Sequence, residues 1–265
     1  MRNSNYTSAE LNSPFLGGGW REAFGGGRRG WRRLLFLFLL LGSTLTHAQV
    51  GERRTDFAIG GNAGFTMNRI SFMPTIKQGW RAAPTFGFTA RYISEKYFTC
   101  ICGLQAEVNY ANMGWKEVIE DGSGNTFSAD LHYIQLPLLM QLGWGRERRG
   151  AKFIFEAGPQ LGFCIGTGRH MGGGTWDTSQ RPNGVTHQYE HDIDHKFDYG
   201  ITAGLGLELS TKVGHFLLEG RYYYGLGDVY DNSKKGFFDR SAHGSIVVKL
   251  NYLFDLKRTK NDNIK

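Results

Sequence analysis

Arg91, Glu107, Glu156, Glu208, Glu219, Arg221 and Lys249 share one local pattern: each has an apolar residue or a glycine on both sides. In an extended chain that pattern puts the charge on one face and the apolar neighbours on the other. Gln105, Gln135 and Gln160 sit in similar surroundings. Three chemistries fit such a set: a polar conduit, a buried catalytic acid, or a network of mutually paired charges. Burying an unpaired charge costs several kcal/mol or more, roughly, so the paired network is the expectation.

Histidines offer a second set. His170, His187, His191 and His195 fall in one stretch with Asp192 and Asp194. His191 and His195 would share a helix face, a spacing used for metal ligands. The stretch also holds Met171-Gly172-Gly173-Gly174, and no helix is predicted there. A solvated loop is the expectation, with His191 and His195 as candidates for a loose divalent-cation contact. His132, His215 and His243 lie near Ser128, Ser210 and Ser241. Such pairs could hydrolyse lipid at a membrane rim, although no GxSxG motif is present. Cys100, Cys102 and Cys164 are an odd set without a CxxC pair, so free thiols are expected. The glycine-rich pieces at 60–64 and 203–208 have no following helix, as a phosphate-binding loop needs. No cofactor is implied.

The elements that must position these residues follow from the rest of the chain. Its 265 residues are 40% hydrophobic and 14% aromatic, with 38 glycines and 6 prolines. A mean hydropathy of −0.37 argues against membrane helices. It suits a barrel, where only every second strand residue needs to be apolar. The formal charge of +7 is weighted to the N-terminus: without residues 1–48, 25 basic and 22 acidic residues remain, about +3. That removes most of the case for nucleic-acid binding.

Residues 1–48 read as a signal peptide. A basic cluster (Arg28, Arg29, Arg32, Arg33) precedes the apolar run Leu34–Leu41, and Thr46 and Ala48 stand at the cleavage positions. A short polar segment, 49–56, follows. Over 57–256 the chain alternates with period two, in segments rich in aromatic and β-branched residues. Eight strands are predicted: Phe57–Thr66, Pro84–Ser94, Thr99–Tyr110, Ala129–Gly143, Ala151–Gly166, Lys196–Ser210, His215–Gly225 and Ser245–Leu256. The connections 67–83, 111–128, 167–195 and 226–244 are long, and 95–98, 144–150 and 211–214 are short. An even-stranded membrane barrel has long outer loops and short inner turns. The fold class expected is therefore all-β: an eight-stranded antiparallel up-and-down transmembrane β-barrel with short periplasmic turns and long outer loops. Its apolar face meets lipid and its polar face points inward. Tyr110, Tyr133, Trp144, Tyr199, Tyr222, Tyr224 and Tyr252 are candidates for the interfacial aromatic girdle. A polar tail, 257–265, ends the chain.

The segments AIGGNAGFT (58–66), LHYIQLPLLMQL (131–142), FEAGPQLGF (155–163) and YGITAGLGLE (199–208) resemble the PorT-like outer-membrane β-barrel family of the Bacteroidota. Tyr133-Ile134-Gln135-Leu136-Pro137-Leu138 and Gly158-Pro159 carry the recurrent motifs. The resemblance spans 57–256 and implies a barrel in the outer membrane of a Gram-negative-type bacterium. The reading is a non-enzymatic protein with a structural, surface-binding or accessory role exerted through the outer loops. A lipid-modifying enzyme and a secretion accessory like the family namesake are the alternatives. Expected partners are outer-membrane lipid and lipopolysaccharide, the barrel assembly machinery, and an extracellular or periplasmic partner, but no nucleic acid.

Overall fold

The computed structural model describes residues 52–259, apart from 147, 177, 180, 182–183 and 233–236. The predicted leader, residues 49–51 of the polar segment, and 260–265 of the tail lie outside the described residues. The elements are β1 (Glu52–Met73), β2 (Gln78–Gly79), β3 (Arg81–Tyr97), β4 (Cys100–Asn112), β5 (Trp115–Glu117), β6 (Thr126–Gly145), β7 (Gly150–Gly172), the single-turn helix α1 (His187–Glu190), β8 (Phe197–Ser210), β9 (His215–Asp228) and β10 (Arg240–Lys257).

Eight of these strands close a ring in the order β1, β3, β4, β6, β7, β8, β9, β10, and β10 returns to β1. Every pairing is antiparallel, and chain neighbours are neighbours in space. Closure leaves no free edge, which a strand protein needs within lipid. β2 and β5 form a short ladder on β6 at the outer end.

The connections alternate as expected. Residues 98–99, 146–149 and 211–214 join strands at one end; 74–80, 113–125, 173–196 and 229–239 join them at the other. Strands β1, β3, β6, β7 and β10 are much longer than the sequence pattern predicted, whereas β4 and β8 are within a residue of it. β1 has 22 residues and β7 has 23, against the roughly ten that cross a membrane. Much of what read as outer loop is strand, and α1 stands where no helix was predicted.

The physical reason is an inversion of polarity. Low on β1, Ala63 and Phe65 face outward while Asn62 and Thr66 are buried. Past Asn68 the strand continues, but Ile70 and Phe72 now point inward and Arg69 and Ser71 outward. The lower part meets lipid and the upper part meets water, so the apolar face changes sides. A cluster containing Phe72, Trp115, Phe127, Tyr133, Tyr189 and Tyr223 fills the upper ring.

At the periplasmic end the predicted polar segment and tail meet. Thr259 N–H donates to Asp56 Oδ1 at 2.7 Å, and Thr55 N–H donates to Thr259 Oγ1 at 2.8 Å.

Candidate functional site

The lower interior holds the ionisable residues picked out by their apolar flanks. All seven are buried. Arg91 donates to both oxygens of Glu208, at 2.5 and 3.1 Å, and Lys152 Nζ lies 3.0 Å from the same carboxylate. Arg221 donates to Glu107 at 2.8 and 3.0 Å, to Glu219 at 2.7 Å, and to Glu156. Lys249 donates to Glu107. The cations Arg91, Lys152, Arg221 and Lys249 thus balance the carboxylates Glu107, Glu156, Glu208 and Glu219 one for one.

Amides link the charges. Gln105 Nε2 donates to Glu107 at 2.6 Å and Glu219 at 3.0 Å, and Gln141 Nε2 joins Gln105 to Glu156 at 2.7 and 3.0 Å. Asn109 and Asn251 donate to Glu107 and Glu219 at 2.7 and 2.8 Å, while Asn62 ties to Asn109 at 2.8 Å. All eight ring strands contribute a member. Period-two alternation puts these residues on the inner face, and the register sets which of them meet. A cavity beside Arg91, Gln141, Lys152 and Glu208 measures about 10 Å³, no more than one water needs. Gln135 and Gln160 are also buried, Gln160 accepting from Thr202 at 2.7 Å.

Lys152 was not singled out with the other charges. It has the same signal, an apolar residue on each side, Ala151 and Phe153.

The candidate hydrolytic pairs are separated by the register. His132 lies on the outer wall, stacked on Tyr110 with Nδ1 2.7 Å from its hydroxyl. His243 is buried inside, its ring 5.3 Å from that of Tyr133. Ser241 Oγ accepts from Tyr230 N–H at 2.9 Å. At the periplasmic end Ser210 Oγ does lie 3.0 Å from His215 Nδ1. However, Nδ1 also faces Glu208 at 2.7 Å and Nε2 faces Asp255 at 3.0 Å. A ring that donates from both nitrogens has no lone pair for a serine proton. Ser210 itself donates to Glu208 at 3.1 Å.

Above the charges the ring is closed by apolar packing and folded-over connections. Phe72 meets Trp115 at 4.9 Å and Phe238 at 5.0 Å between ring centroids; Phe127 meets Tyr189 at 5.0 Å. Arg181 donates to Asp121 and lies over the rings of Trp176 and Tyr189, at 5.1 and 5.5 Å. Hydrogen bonds from Ser123 to Asp121 hold that carboxyl below its usual range. Burial pushes the Glu117 carboxyl up, and it pushes the Tyr189 hydroxyl up to about 12. Tyr133, a girdle candidate, belongs to this inner packing instead, because its position has the parity of the buried face.

His191 caps α1 and faces Asp194 at 3.0 Å, and His195 is exposed. Among the described residues no three His, Cys, Asp or Glu side chains are grouped to hold a metal. His187, His191, Asp194, Tyr230, Phe237 and Phe238 instead line a cleft of about 250 Å³ on the outer surface. The described cysteines are free thiols.

Fold and interior together define a membrane-spanning barrel whose lower lumen is filled by paired charges and whose upper lumen is filled by apolar packing. No described helix is long and apolar enough to cross a membrane; the crossing is made by strands. The chain belongs to the outer membrane protein beta-barrel domain family, whose model matches residues 47–231, and it resides in the outer membrane. No curated protein matches it. Similar solved structures include the outer membrane protein OprG from Pseudomonas aeruginosa: 14% identity over 77% of this chain and 98% of that one, TM-score 0.38. Ail, the attachment invasion locus protein of Yersinia pestis, was solved with the heparin analogue sucrose octasulfate; it is 11% identical over 75% of this chain and 99% of that one, TM-score 0.34. The outer membrane enzyme PagL is 12% identical over 76% and 98%, TM-score 0.34.

Proposed function

We propose that this protein is a sealed, non-enzymatic outer-membrane barrel that acts at the cell surface through its outer cap, in a binding or accessory role. The observation that carries this reading is the double closure of the lumen. Balanced ion pairs fill the membrane level, and aromatic packing fills the level above it. Neither layer leaves a path for a solute, and Ser210–His215, the described serine–histidine contact, lacks a free base. What remains open to the medium is the cap, with its aromatic and acidic cleft around Phe237 and Asp194.

Membership of the PorT-like branch is part of the same proposal. The two motifs that carry the resemblance pack together: Pro137 opposes Gln160, and a Cβ on Gly158 would fall 2.0 Å from the Leu138 carbonyl oxygen. The motifs thus describe one β6–β7 junction, a structural rather than a chemical signature.

Planar-bilayer recording of the refolded, heat-modifiable protein tests the reading. A silent bilayer is expected. Discrete, steady conductance steps would overturn it, and Glu107, Glu219, Arg221 and Lys249 would then be pore-lining residues. Unchanged lipid A mass spectra in a deletion strain are expected as well; an altered acylation pattern would point to enzymatic activity.

A further inference from the structure

On the outward wall of β1, the apolar series Phe65, Met67 ends at Arg69. The neighbouring β10 carries Leu250, Val248 and Ile246 on the same face and then Gly244. Gly244 is directly opposite Arg69 on one side and Tyr224 of β9 on the other. Here the lipid-facing band gives way to the water-facing extension of the barrel.

Side chains from the neighbouring strands close over Gly244, which is buried. A Cβ at Gly244 would lie 3.4 Å from the Tyr222 hydroxyl and 4.0 Å from Arg69 Nε. Arg240 reaches down from the outer end of β10, donates to the Tyr224 hydroxyl at 2.6 Å and lies 5.8 Å from that ring's centroid. The Arg69 guanidinium lies 4.9 Å from the Trp80 ring centroid. Among the described residues no carboxylate pairs with Arg69 or Arg240, whereas the charges of the lower lumen are all matched. Two arginines with no carboxylate partner among the described residues, each held against an aromatic ring on the outward wall to either side of Gly244, are an arrangement for an anion. Arginine's planar fork matches phosphate oxygens in pairs.

We infer that Arg69 and Arg240, with the Tyr222 and Tyr224 hydroxyls above Gly244, bind a phosphate group of an outer-leaflet glycolipid. The lipid is identified by position. The site tops the apolar band at headgroup height, on the outward wall, where aromatic residues mark the interface. Directly below it, Phe65 opposes Val248 and Met67 opposes Ile246, a continuous apolar wall for the acyl chains of the same molecule. A soluble anion would gain nothing from that wall.

Native mass spectrometry of protein extracted from outer membranes into detergent tests this, with diphosphorylated lipid A and its dephosphorylated form as probes. The wild type should retain lipid A one to one and hold the dephosphorylated form about tenfold less tightly, since charge-assisted bonds to phosphate are the strong ones. Arg69→Gln with Arg240→Gln should lower lipid A retention about tenfold without changing the dephosphorylated form. Gly244→Leu fills the floor and leaves both charges, and it should lose lipid A as well. The heat-modified gel shift establishes that each variant is folded. Equal retention of both probes by the wild type, or unchanged lipid A retention by the folded double variant, would overturn the site. Displacement of lipid A by millimolar inorganic phosphate would overturn its assignment to a lipid.

Discussion

Arg221 on β9 donates to both carboxylate oxygens of Glu107 on β4, at 2.8 and 3.0 Å, across the full width of the ring, since those strands are four places apart in eight. Arg91 and Glu208 make the same diametric connection between β3 and β8. The two arms of each pair are not equivalent. Arg221 also neutralises Glu156 and Glu219, so Arg221→Met leaves three buried carboxylates to Lys249. That should cost about 3–5 kcal/mol of unfolding free energy, as breaking a buried ion pair does. Glu107→Gln leaves Arg221 with Glu156 and Glu219, and Lys249 with Glu219, so no remaining charge loses every partner, and it should cost less, about 1–3 kcal/mol. Denaturant titration in lipid vesicles reads both. Equal losses would mean that Arg221 is not the hub on which these carboxylates depend.

The cap carries two acids with opposite pH behaviour. Asp121 is held below its usual range by hydrogen bonds from Ser123 and by Arg181. Its contribution is present above the unfolded value of about 3.9 and is lost as pH falls through the lower folded value. Glu117 is pushed up by burial, so its native form holds a proton more tightly than the unfolded chain does. Its contribution is full below about 4.3 and is lost as pH rises through the folded value. The cap should therefore be most stable at mildly acid pH. In fixed denaturant, the fluorescence of Trp115 and Trp176 should show that maximum. Glu117→Gln should flatten its alkaline side and Asp121→Asn its acid side. A monotonic profile would contradict the assignment.

The sequence exposed the ring because lipid enforces alternation. Phe197 to Leu209 on one face and Asp198 to Glu208 on the other leave one strand reading only, and the alternating connection lengths order eight such strands. The charged interior was legible for the same reason: Glu107 and Arg221 each sit between apolar or glycine neighbours. Which charge meets which was not, because the Arg221–Glu107 pair depends on register across four strands. The upper third was hidden by the change of solvent. Ile70 and Phe72 keep the inward phase of Asn68 but reverse the polarity of the two faces, and in sequence that reversal looks like a break in the alternation. The Arg69–Gly244–Tyr222 cluster had no signal in one dimension, since its members come from three strands.

Gly60 is half-buried against β10, and a Cβ there would fall 1.8 Å from the Tyr252 carbonyl oxygen, in backbone that cannot yield. Gly61, next in the chain, faces outward and would find its nearest atom at 3.8 Å. Gly60→Ala should cost at least about 2–3 kcal/mol, through forced backbone movement, and reduce the heat-modifiable fraction on refolding. Gly61→Ala should refold as the wild type does. If the two variants refold alike, the close approach of β1 and β10 is not a folding constraint.

Trp115 is fully buried between Phe72 and Phe127, in the layer above the charges. Trp115→Ala removes the largest side chain of that layer and should cost about 3–5 kcal/mol, the usual result of emptying an aromatic site. The loss should fall on the cap, because the lower ladders and ion pairs share no atom with the indole. Limited proteolysis of the outer connections should accelerate, while the heat-modified gel shift stays intact. Bilayers should remain silent, since the Glu107–Arg221 layer still closes the lumen. Steady conductance from Trp115→Ala alone would assign the seal to the apolar layer and leave the ion pairs as supports of the wall.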